Sequence, residues 1–281
     1  MAKRVITAII LIPAVIFIVH VCSYGTALLL LVFSFIALSE YYRIADSCNL
    51  KHLRFSGYLA SAMIITGFLL KAAFNYNLQV HFFTLGIMAV FFEELIRGRV
   101  GDAVISVSTT IAGVVYTAFL PGCLILLRGD SAQGESLVYM LFLATWASDI
   151  FAYFTGTAFG KHKLIPGISP NKSWEGLAAA LAAGAFACAG YKWISASPLF
   201  LRLGLGMGDL TYGHCILTGL LLGMTGQAGD LMESMLKRNA GVKDSGDLFP
   251  GHGGVLDRCD SLILNIPVFY LIISIIMRGR A

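Results

Sequence analysis

Residues 230–260 read DLMESMLKRNAGVKDSGDLFPGHGGVLDRCD. Acids, bases and a Gly-His-Gly-Gly turn stand here between two apolar segments, roughly 212–230 and 262–277. Asp or Lys at the centre of a bilayer-spanning helix costs about 2.5–3.5 kcal/mol on insertion scales. Charge gathered at this place therefore faces water in a loop, or lines a site that a polar molecule enters.

The rest of the chain settles what surrounds that run. Of 281 residues, 57% are hydrophobic and 13% charged, and mean hydropathy is +0.79. A soluble domain carries about 25% charged residues, so an ordinary soluble globule is excluded. A bilayer core takes about 20 apolar residues per helix. Blocks between charges fall at 5–22, 24–42, 56–73, 78–96, 102–127, 137–159, 174–195, 212–230 and 262–277. The fold expected is an all-α, polytopic integral membrane protein with about nine transmembrane helices. Lys3 and Arg4 ahead of an apolar stretch imitate a signal peptide. The stretch is long enough to span and another follows at once, so it reads as a retained first helix. Pro121 in block 102–127 marks a kink or an end.

Two regions are expected: an N-terminal transmembrane part, 1–140, and a C-terminal catalytic part, 141–281, with polar loops 160–173 and 231–261. No linker or obvious repeat divides them. Cys22, Cys48, Cys123, Cys188, Cys215 and Cys259 form no CxxC pair, which leaves a zinc or dithiol site unsupported. Alternating the loops across nine spans puts 14 of the 20 Lys and Arg on the face of the amino terminus. The positive-inside rule makes that face cytoplasmic. Both polar loops then lie on the side where nucleotides are.

Asp257 and Asp260 are three apart, as are Asp230 and Glu233, and i,i+3 positions share a helix face. Carboxylates of this kind suit Mg²⁺, which is held by one or two of them plus substrate phosphates. Lys237, Arg238, Lys243 and Arg258 add positive charge beside them. Acids for a metal and bases for phosphates are what a metal–phosphate substrate needs. Lys237 and Arg238 also read as simple cytoplasmic anchors. The turn Pro250-Gly251-His252-Gly253-Gly254 allows positive φ and close backbone approach. Its successive N–H groups suit an anion nest, and a helix N-terminus follows near Asp257. His252 is a candidate phosphate contact. In the second loop, Ser169, Lys172 and Ser173 offer donors to phosphate or sugar, although no Walker A pattern is present. Asp149 lies mid-span, where a carboxylate needs a cavity or a partner.

These residues resemble the signature of phosphatidate cytidylyltransferases, also called CDP-diglyceride synthases. It stands here as Ser234, Leu236, Lys237, Arg238, Lys243, Asp244, Gly246, Leu248, Phe249, Pro250, His252, Gly253, Gly254, Val255, Asp257, Arg258 and Asp260. Upstream, Trp146, Asp149, Tyr153, Gly156, Gly160, Lys161, Ser169, Pro170, Lys172, Ser173, Glu175 and Gly176 are similar to the family's other block. The likeness covers 146–261 closely; the first 140 residues share mainly polytopic character.

The resemblance implies cytidylyl transfer from CTP to phosphatidate, releasing pyrophosphate, in the cytoplasmic (inner) membrane of a bacterium. It implies Mg²⁺ on Asp230 and Asp257, with Asp260 supporting them or a second cation, K⁺. It implies phosphate binding by Lys237, Arg238, Lys243 and Arg258. Ser169, Lys172, Ser173, Ser234, Asp244, His252, Gly253 and Gly254 are the implied substrate contacts. The implied assembly is a homodimer. Two rivals fit the composition: a CTP-dependent polyprenol or phytol kinase, which would release CDP, and a cation-coupled secondary transporter. The Asp-rich motif of CDP-alcohol phosphotransferases is not found.

Overall fold

The computed structural model describes residues 2–21, 23–129, 133–208, 210–246, 248 and 253–278, with side chains from Ile12 onward. Helices dominate it: α1 (Ala2–Val21), α2 (Ser23–Ser47), α3 (Arg54–Phe74), α4 (Gln79–Arg97), α5 (Ala103–Val114) and α6 (Leu120–Gly129). They are followed by α7 (Gly134–Phe159), a hairpin of β1 (Lys163–Ile165) and β2 (Ser169–Ser173), then α8 (Trp174–Ser195), α9 (Pro198–Arg202), α10 (Tyr212–Asn239) and α11 (Leu256–Arg278). Among the described residues eight helical segments are long and apolar enough to cross a membrane. The remaining expected block is α1, 20 residues long. Every block read from the sequence is thus helical.

Pro121 neither ends nor breaks its block. Five residues, Val115–Phe119, form a π-helical turn just before it, and the Leu120 N–H donates to the Val115 carbonyl. A π turn is a standard way to absorb a ladder mismatch. The charged run also differs from its expected shape. Instead of a loop from 231, α10 continues to Asn239, while α11 starts at Leu256, next to the expected helix start near Asp257. Asp230, Ser234 and Lys237 recur at spacings of four and three, so they share one stripe of a helix.

The chain forms two compact units, one of residues 1–129 with 236–259 and the other of 130–235 with 260–281. In the first, α3 and α4 approach closely because Gly86 lies against Ala60 and Gly67 against Phe82. Tyr42 and Leu53 are buried at its centre; the Tyr42 hydroxyl donates to the Leu53 carbonyl at 3.2 Å. In the second, α8 and α10 touch backbone to backbone through Gly184 and Gly219, and through Ala180 and Gly223. Asn265, fully buried, donates to Thr145 Oγ1 at 2.9 Å and accepts from Thr225 at 2.5 Å. Polar bonds of this kind tie membrane helices together.

Candidate active site

In the unit of 130–235 and 260–281, three carboxylates gather around one ammonium group. Lys172, on β2, pairs with Asp230 Oδ2 at 2.9 Å and donates to the Gln227 carbonyl at 3.1 Å. The Gln227 side chain donates to Asp149 Oδ1 at 3.2 Å, and Ser261 Oγ donates to the same oxygen at 3.1 Å. Asp260 accepts from the Ser261 N–H at 2.7 Å. Ser234 Oγ donates to Asp230 Oδ1 at 3.3 Å. The charges of Asp149, Asp230 and Asp260 lie close enough to repel one another, and Lys172 offsets only part of that. An excess of hard oxygen donors is the chemistry that draws a divalent cation. Among the described residues no three His, Cys, Asp or Glu side chains form a ready-made cage. Mg²⁺ seldom uses one: one or two carboxylates suffice, with water and substrate phosphates completing the octahedron. The donor set therefore fits Mg²⁺ arriving with a nucleotide.

The hairpin that delivers Lys172 is pinned at its base. Ser173 is 3% exposed, and its hydroxyl accepts from the Gly176 N–H at 3.1 Å, capping α8. His162 contacts Glu175 at 2.6 Å, and the Trp174 N–H donates to the His162 carbonyl at 3.0 Å. Ser169 is half-buried at the start of β2.

In the other unit a second constellation is built on Asp257, in the first turn of α11. Its Oδ1 pairs with Lys237 Nζ at 2.5 Å, with the two side chains only 6% and 12% exposed. Its Oδ2 accepts from the Ser245 N–H, the Ser245 hydroxyl and the Gly254 N–H, each at 2.8 Å. Glu40 of α2, 3% exposed, accepts from the Val255 N–H at 2.8 Å, the Leu256 N–H at 2.9 Å and the Ser245 hydroxyl at 3.0 Å. Ser245 has one hydroxyl proton, so two carboxylates share it. Gly253 has φ +80°, and a Cβ there would meet Asp257 Oδ2 at 2.5 Å. Glycine is required on both counts.

Of the turn expected as an anion nest, Pro250, Gly251 and His252 lie outside the described residues. The N–H groups of Gly254, Val255 and Leu256 are already taken by the protein's own Asp257 and Glu40. Asp257, implied as a Mg²⁺ ligand, carries four donors, one of them the Lys237 ammonium on Oδ1. Arg238, Lys243, Asp244 and Arg258 are exposed, with Arg238 reaching the Val242 carbonyl at 3.4 Å. His252 lies outside the described residues. The sequence reading missed Glu40, Ser245, Gln227 and Ser261. Glu40 had a signal: it is an acid inside an apolar block, the criterion that singled out Asp149.

The profile of a family described as "Cytidylyltransferase family" matches residues 2–276. A phosphatidate cytidylyltransferase of Brucella abortus (strain 2308) is 36% identical over 95% of this chain and 91% of its own length. One from Bacillus subtilis (strain 168) is 27% identical over 98% of both chains. A protein of Escherichia coli (strain K12) named as uncharacterised is 33% identical over 85% of this chain and 76% of its own.

Proposed function

The chain belongs to the cytidylyltransferase family, and from that premise we propose that it transfers the cytidylyl group of CTP to phosphatidate. The products are CDP-diacylglycerol and pyrophosphate. The observation that carries this reading is the cluster of Asp149, Asp230 and Asp260 around Lys172, in a chain similar over nearly its whole length to proteins named for that reaction. A phosphatidate oxygen attacks the α-phosphorus of CTP. The new P–O bond forms as the bond between the α-phosphorus and its bridging oxygen breaks, and pyrophosphate leaves with that electron pair. The lipid phosphate is already ionised at neutral pH, so no strong general base is needed. The barrier is the meeting of two anions, and positioning with electrostatic stabilisation lowers it.

Asp230 and Asp260 are the proposed Mg²⁺ carboxylates, with Asp149 behind them and K⁺ as a second cation. Mg²⁺ would supply charge neutralisation at the CTP phosphates. Lys172 holds Asp230 when no substrate is present and has a phosphate oxygen as its alternative partner. Arg238, Lys243 and Arg258, exposed as they are, meet phosphates of CTP or phosphatidate. Asp257 fixes Lys237 beside the glycine turn. The chain sits in an inner membrane with its amino terminus and polar loops on the cytoplasmic face, and it assembles as a homodimer. Light scattering of the detergent-solubilised protein checks the dimer.

The test is purified protein with labelled CTP and phosphatidate. CDP-diacylglycerol and pyrophosphate should form in equal amounts, and only with Mg²⁺. Release of CDP with a phosphorylated alcohol would favour a lipid kinase instead. Flux of a solute into vesicles with CTP untouched would favour a transporter.

A further inference from the structure

We propose that Glu40 is a positioning residue for the reaction, setting the glycine turn and, through Ser245, the Asp257–Lys237 pair. The proposal rests on the cytidylyl-transfer reading above.

Three observations point the same way. Glu40 is buried in an apolar helix, yet both its oxygens are used: Oε1 by the Val255 N–H, Oε2 by the Leu256 N–H and the Ser245 hydroxyl. A buried carboxylate is costly unless it is satisfied, and this one is satisfied by Ser245, Val255 and Leu256. The N–H groups it receives are among the orphan donors that open α11, where the helix dipole favours an anion. Second, Ser245 couples Glu40 to Asp257, which in turn holds Lys237. Third, two glycines of the signature are small because Glu40 fills the space. A Cβ on Gly246 would meet Glu40 Oε1 at 2.7 Å, and the three atoms nearest to it all belong to Glu40. A Cβ on Gly254 would collide with Ser245 Oγ and with both Glu40 carboxylate oxygens. Neither glycine has the positive φ of Gly253, so sterics account for their size, against Glu40 at Gly246 and against Glu40 and Ser245 at Gly254. The N-terminal region thus contributes a residue to the reaction without touching a substrate.

Glu40→Gln keeps the size but turns one acceptor into a donor, which must face a backbone N–H or Ser245. The turn then shifts, and a misplacement of about 1 Å in a catalytic arrangement costs on the order of 100-fold in rate. The expected result is a kcat lower by about 30- to 100-fold, with KM for CTP within about threefold of wild type. A merely structural residue would lower the folded yield and melting temperature and leave turnover per folded molecule unchanged. Turnover within about threefold of wild type overturns the proposal.

If Glu40→Gln does not fold, Gly246→Ala and Glu40→Asp decide. Shortening Glu40 by one methylene removes the clash, so Gly246→Ala should cost about tenfold in the wild-type background and almost nothing in Glu40→Asp. Independent, multiplying losses overturn the proposal. Hydrogen exchange separates it from the wider reading. Amides 255 and 256 should exchange faster in Glu40→Gln even if the wild type makes no CDP-diacylglycerol, which would sink the function alone. Unchanged exchange sinks the positioning role whatever the activity.

Discussion

Asp257 and Asp260 are three residues apart in one helix, yet their surroundings are of opposite sign. Asp257 receives an ammonium group and three further donors, whereas Asp260 faces the charges of Asp230 and Asp149. The same substitution should therefore do different things. Asp257→Asn removes the carboxylate that Lys237 contacts and that collects the Ser245 and Gly254 N–H groups. Its melting temperature in detergent should fall clearly, and turnover with it. Asp260→Asn removes a repelling charge. Its melting temperature should hold or rise while Mg²⁺-dependent formation of CDP-diacylglycerol falls by a factor of about 100 or more. A fall in stability for Asp260→Asn equal to that for Asp257→Asn would contradict this division of roles. Both aspartates were legible as carboxylates in a polar run. Their different partners were not, because Ser245 is an ordinary polar residue until the fold brings an acid to it. Glu40 and Ser245 are 205 positions apart, and no spacing rule links them.

Length and apolarity made the helices readable. The bilayer demands about 20 apolar residues per span, and every expected block is helical. Boundaries within the charged run were less readable, since a helix projecting past the apolar stretch looks like a loop when only hydropathy is followed. The spacing of Asp230, Ser234 and Lys237 carried that information. Helix pairing was written in small residues instead. Gly219 of α10 sits against the Gly184 carbonyl, and an added Cβ would also meet Ala185 Cα at 2.6 Å. Gly190 of α8 has nothing within 4 Å of an added Cβ. Gly219→Ala should therefore destabilise by about 1–3 kcal/mol through overpacking. Gly190→Ala should stay within about 0.5 kcal/mol of wild type. Thermal unfolding in one detergent compares the two, and equal effects would mean that α8 and α10 do not pack on these glycines.

For the whole molecule the governing asymmetry is charge. Fourteen of the 20 Lys and Arg residues fall on alternate loops beginning with the amino terminus, and such a bias sets the direction of insertion. The proposed reaction depends on that direction: it draws CTP from the cytoplasm and phosphatidate from the bilayer, so it requires the loop bearing Lys172 to open to the cytoplasm. Two glycines offer neutral positions for a label. Gly167, between β1 and β2, and Gly208, between α9 and α10, are exposed, and an added Cβ would meet nothing within 4 Å at either. Each is replaced by Cys in a variant whose native cysteines have been removed, and intact cells are treated with a membrane-impermeant maleimide. Gly208→Cys should react in intact cells, whereas Gly167→Cys should react only after the membrane is opened. The reverse pattern would put the Lys172 loop on the face without CTP, and the proposed reaction would then have no access to its nucleotide.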